Sequence, residues 1–133
     1  MPGITKFFEL QYRLEARRMT PYSRQFMAQV DDAILRGLPE ASVSVETVAS
    51  EVSVSPSKLR RQLQNATGIS PAIYIMFVRL REALHLLEFY PQYSISEIAL
   101  QCGFSDHSHF THAFIRFFGC PPLQYIQEIN SHY

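Results

Sequence analysis

The chain is short of several things that would assign it quickly. It has two cysteines in 133 residues, Cys102 and Cys120, and they form no CxxC spacing. That excludes a disulfide framework and a cysteine-built zinc site, and it predicts two small buried thiols in a reducing compartment. Net charge is zero. A polycation that grips nucleic acid by bulk charge is therefore excluded, and any such role must rest on placed residues. The cations are unevenly spread: Lys6, Arg13, Arg17 and Arg18 outweigh Glu9 and Glu15, leaving residues 1–20 at +2 and the remainder at −2. Long apolar runs are missing. The longest, Ile73 to Val78, is far too short to span a bilayer. Met1-Pro2-Gly3 opens no signal peptide, so a cytoplasmic chain without membrane contact is expected. No nucleophile elbow, phosphate loop or Ser-His-Asp arrangement is visible, and Asp31-Asp32 are neighbours that face apart on a helix. No catalytic residue and no cofactor are expected, and the chain reads as a non-enzyme.

Strand signals are nearly absent too, while helix punctuation is dense. Tyr22 to Leu38 carries Phe26, Val30, Ala33 and Ile34 on one face and stops at Gly37 and Pro39. Ser44 can cap a short helix to about Val52. Ser55-Pro56 and Ser70-Pro71 each combine an N-cap serine with proline at the first helical position. The second opens a long helix to about Tyr90, with an apolar stripe of Ile73, Met76, Phe77, Leu80, Ala83, Leu84 and Leu87. Ser94 to Glu97 forms a capping box. A helix from about His107 ends at Gly119, and Pro121-Pro122 starts a last one. The expected class is all-α.

An internal repeat organises these helices. SVETVASEVSVS (44–55) lies over SISEIALQCGFS (94–105) at an offset of 50. One residue is then inserted, and Leu59 matches Phe110, Leu63 matches Phe114, and Gly68 matches Gly119. Each copy is a short helix, a tight turn and a longer helix ended by glycine. Ala49 and Ala99 allow close approach, and Gly103 sits where the turn needs positive φ. This is helix-turn-helix, present twice. The expected organisation is an N-terminal helical segment or linker over 1–20, a first subdomain over 21–69, a linker helix over 70–91 and a second subdomain over 92–133. These homeodomain-like halves comprise about seven helices.

The exposed face of each second helix points to DNA. Leu59 and Leu63 turn inward, and Ser57, Arg61 and Gln64 fall on the other side, flanked by Lys58 and Arg60. Three of the eight cations after position 20 thus lie within four positions. Long cationic donors beside a small serine suit base edges and phosphates in a major groove. A rod from Pro71 to Tyr90 is about 30 Å long, close to the roughly 34 Å of one DNA turn. It could hold two such helices, about 56–67 and 107–118, in successive major-groove segments.

With these residues in hand, the chain resembles the AraC/XylS family of bacterial transcription regulators over about residues 22–127. The second half carries the family's most specific pattern: I-x-x-I-A at Ile95, G-F-S-D at Gly103, and F-G-x-x-P-x-x-Y at Phe118. The resemblance implies tandem helix-turn-helix units reading asymmetric duplex DNA, usually to activate transcription with RNA polymerase. It implies base reading by Ser57, Lys58, Arg60 and Arg61 in the first half, and by His107, Ser108, His109 and His112 in the second. Gln64 and Arg116 complete the expected DNA-binding set. The chain departs from the family with Ser53 for the turn glycine and Gln62 and Gln64 for cations. It has His112 for arginine, Ile115 for lysine and Pro121 for a capping serine or threonine.

Two further readings stay open. KFFELQYRLEARRMT (6–20) looks like the last helix of a receiver domain and its linker, as in hybrid two-component regulators, or else a plain extension or dimer-forming helix. The alternative to tandem reading is an AraC-like interaction module whose second unit touches protein or only DNA backbone, motivated by Ile115. The three histidines invite a metal reading, which helical geometry opposes. His107 stands about 200° from His109 and about 140° from His112 around the axis, so the three cannot meet at one ion.

Overall fold

The computed structural model describes residues 5–40 and 43–131, so the ends of the expected 1–20 and 92–133 segments lie outside the described residues. Among the described residues there are eight helices and no strand. They are α1 (Lys6–Ala16), α2 (Pro21–Gly37), α3 (Val45–Glu51), α4 (Pro56–Thr67), α5 (Pro71–Phe89), α6 (Ile95–Gln101), α7 (His107–Phe118) and α8 (Pro122–Asn130). The local chemistry explains most of the boundaries. The hydroxyls of Ser55 and Ser70 accept from the backbone N–H groups of Lys58 and Ile73, with proline following each cap. Ser44 with Thr47, and Ser94 with Glu97, close reciprocal capping boxes on the two short helices. Pro121 caps α8 without a side-chain hydrogen bond.

The sequence repeat is reproduced bond for bond in the two turns. Val54 N–H donates to Ala49 carbonyl, and Phe104 N–H to Ala99 carbonyl, each at 3.0 Å. Ser53 N–H donates to Ser50 carbonyl, and Gly103 N–H to Leu100 carbonyl, each at 3.1 Å. Both central residues are left-handed, with φ 60 at Ser53 and φ 84 at Gly103. Ser53 therefore accepts the same backbone as the glycine and carries its strain. Leu59 and Leu63 of α4, and Phe110 and Phe114 of α7, all point into the core, each at most 1% exposed.

The long helix α5 is buried more widely than a single stripe. Phe77, Leu80, Ala83 and Leu87 are buried as expected, but Ile73, Met76 and Leu84 are only half-buried. Tyr74, Ile75, Val78 and Arg79 are buried instead. The reason is that α5 packs against five other helices, α2, α3, α4, α6 and α8. Tyr74 hydroxyl donates to the Asp31 carboxylate and ties α5 to α2. Burial pushes the Asp31 carboxyl above the usual carboxylate range. Of the two thiols, Cys102 is buried, whereas Cys120 is only partly so because it follows the glycine that ends α7. Burial pushes the Cys102 thiol up to about 12.

Arg79 joins the halves. It is 6% exposed, and its guanidinium donates to the carbonyls of Val43 (2.9 Å) and Gly103 (3.1 Å). One belongs to the loop after α2, the other to the second turn. A Cβ on Gly103 would lie 2.4 Å from the Leu38 carbonyl oxygen, so the second turn is seated directly on the first half. The segment 1–20, read as lying outside the DNA-binding fold, also contributes: Phe7 and Leu10 of α1 are buried within it.

Candidate nucleic-acid interface

Every expected reader residue is on the surface. On α4, Ser57, Lys58, Arg60, Arg61 and Gln64 are all exposed, opposite the buried Leu59, Leu63 and Ala66. On α7, His107, Ser108, His109, His112 and Arg116 are exposed, opposite Phe110, Ala113, Phe114, Phe117 and Phe118. The two helices thus present one polar face each, while their apolar faces are buried, that of α7 partly against α1.

The cations are unneutralised by the protein. The ion pairs among the described residues join Arg36 to Asp32 (2.6 Å) and to Glu51 (3.5 Å), and involve none of Lys58, Arg60, Arg61 or Arg116. A guanidinium without a carboxylate partner keeps all its donors for an incoming phosphate or guanine. Gln62, counted among the departures from the family, faces sideways: its amide donates to the Tyr22 hydroxyl at 3.2 Å, linking α4 to α2.

The second helix is built differently. Asp106 is its N-cap, and its Oδ1 accepts from His109 N–H at 2.7 Å. His109 is held by two further contacts. Its Nδ1 lies 3.2 Å from Ser105 Oγ, and its ring meets Phe104 edge-on at 5.3 Å. The three histidines fan around the first turns, and among the described residues no group of three ligating side chains could hold a metal ion. Ile115, 39% exposed, lies on the same outward face. In the sequence, Asp106 stands out only as the last residue of the G-F-S-D motif. Its position just before an apolar-periodic run was the available sign of a cap.

Two helix-turn-helix units fixed on one rod, each offering an exposed polar helix, define a domain that reads nucleic acid. Comparisons with known proteins agree. The profile of a family described as helix-turn-helix domain matches residues 48–128. The transcriptional activator RhaS of Enterobacter sp. (strain 638) is 39% identical over 100 residues, 75% of this chain and 34% of that protein. Among solved structures, the DNA-binding domain of AdpA in complex with a target DNA superposes with a TM-score of 0.71. It is 30% identical, over 79% of this chain and 93% of that one. The C-terminal domain of AraT, a response regulator from Geobacillus stearothermophilus, gives 0.70 at 28% identity, over 84% and 88% of the two chains. The chain belongs to the AraC/XylS-type helix-turn-helix family of DNA-binding transcription regulators. It spans about a third of the length of the curated relatives it matches. Among the described residues no helix is long and apolar enough to cross a membrane.

Proposed function

We propose that this domain reads an asymmetric stretch of duplex DNA by laying α4 and α7 in successive major-groove segments, and that it activates transcription together with RNA polymerase. The observation that carries the reading is the outward face of α4, where Lys58, Arg60 and Arg61 stand exposed and unpaired beside Ser57 and Gln64. Such a face offers bidentate donors for guanine and long arms for phosphate. On α7, His107, Ser108, His109 and His112 take the corresponding places, with Arg116 one turn beyond. Helix N-termini add backbone donors to phosphates. The solved AdpA domain, itself in complex with a target DNA, supports DNA as the ligand.

Binding selection from random DNA, followed by gel shift, tests this reading. Two half-motifs about one helical turn apart are expected. A single half-motif would favour the other reading, in which the second unit meets a protein or only DNA backbone through Ile115. Within the first half-site, Arg61→Ala should cost roughly 1–3 kcal/mol of specific binding and relax selectivity at one position. Unchanged affinity with an intact fold would remove Arg61 from the reader.

A domain covering a third of its relatives' length leaves room for a switch elsewhere in the polypeptide. A cytoplasmic sensor or receiver upstream of this segment would fit the response-regulator description of AraT.

A further inference from the structure

The helix α1 touches the last turns of both reading helices. At its start, Phe7 is 1% exposed and stacks on Phe118 of α7 (4.6 Å) and on Phe77 of α5 (4.9 Å). Lys6 Nζ lies 4.9 Å from the centre of the Phe117 ring. At its end, Arg17 donates from Nε to the Ala66 carbonyl (2.8 Å) and from Nη2 to the Asn65 carbonyl (2.9 Å). These belong to the last turn of α4, where helix carbonyls lack partners and a cation is favoured. The 11-residue helix and its C-cap Arg17 together therefore span from the end of one reader to the end of the other.

The rod α5 fixes the separation of the readers, but a lone rod resists twisting about its axis poorly. Lateral ties supply that resistance. Arg79 ties the two halves on one side. Phe77, which meets α1, lies about 200° around α5 from Arg79, so α1 ties them on the opposite side. Twist matters on DNA, because one base pair rotates the groove by about 35°.

We propose that α1 is a strut that sets the register between the two readers, with Arg17 and Phe7 as its positioning residues. The proposal rests on the reading of α4 and α7 as paired groove readers. It gives residues 6–17 a task in DNA recognition without contact to DNA, and makes any force on α1 a force on half-site spacing.

The test uses the full 133-residue chain and the two half-motifs selected by the wild type. Binding is measured by fluorescence anisotropy on the paired site, on the pair with one base pair inserted, and on each half-motif alone. The wild type should lose about 10-fold in affinity on insertion, and Arg17→Ala less than about 3-fold, with each isolated half-motif bound to within about 2-fold of wild type. Arg17→Lys, which keeps a donor, should fall between. Arg17→Ala that retains wild-type discrimination, or that weakens isolated half-motifs as much as the pair, overturns the strut. Phe7→Ala probes the other end by the same readout, and if it does not fold the exposed Arg17 decides. A wild type that selects one half-motif overturns the two-groove reading, and the strut with it. Two half-motifs with unchanged spacing preference in Arg17→Ala overturn the strut alone.

Discussion

Arg79 occupies a face of α5 with almost no solvent, and burial lowers its pKa from the usual guanidinium value. Its Nε has no partner, yet its two terminal nitrogens satisfy carbonyls from both halves. Removing the guanidinium would strand two backbone oxygens away from water. Arg79→Met should therefore destabilise the fold by about 2–4 kcal/mol, read by urea denaturation. A loss below about 1 kcal/mol would mean that water replaces the guanidinium. The sequence offered no way to tell this arginine from Arg81, two residues on, because the distinction lies in which elements arrive against α5. The exposure of the proposed reader residues was easier to foresee. Arg61 and His109 stand opposite periodic leucines and phenylalanines, so their exposure follows from the core positions around them.

At the scale of elements, two glycines separate backbone strain from close contact. Gly103 and Gly119 have nearly the same left-handed conformation, φ 84 and φ 81. A Cβ on Gly119 would meet nothing within 4 Å, whereas on Gly103 it would meet the Leu38 carbonyl oxygen at 2.4 Å. Gly119→Ala should thus cost about 1 kcal/mol from conformation alone. Gly103→Ala should cost at least about 3 kcal/mol, since a backbone oxygen must also move. Equal losses in thermal or urea unfolding would refute the seating of the second turn on the first half. The helices themselves were legible because Ser-Pro starts, capping boxes and terminal glycines act within a few residues. The burial of Tyr74, Ile75 and Val78 was not, because α5 is apolar nearly all round and its buried sides are chosen by distant neighbours. The burial of Phe7 was hidden for the same reason: α1 reads as an ordinary amphipathic segment, and only packing shows that its apolar face is spent on Phe77 and Phe118.

For the whole molecule, neutrality limits how DNA is held. With no net charge, the proposed reading rests DNA binding on Lys58, Arg60, Arg61 and Arg116 rather than on a diffuse field. Four phosphate or groove contacts at most should give log K against log salt a slope of about −3 to −4. Anisotropy titrations between about 50 and 200 mM salt measure it. A steeper slope would bring in cations outside the two readers, such as Arg13 or Arg24.

The contact of Gly103 with the Leu38 carbonyl, and the Arg79 bridge from Val43 to Gly103, bear on how hybrid regulators can be made. The repeat suggests that the second half could be exchanged for a relative's to change half of the target sequence. A graft limited to residues 92–131 would move the recognition face while leaving its seat behind. Exchange of Leu38, Val43 and Arg79 along with that half is the cut that respects the joint.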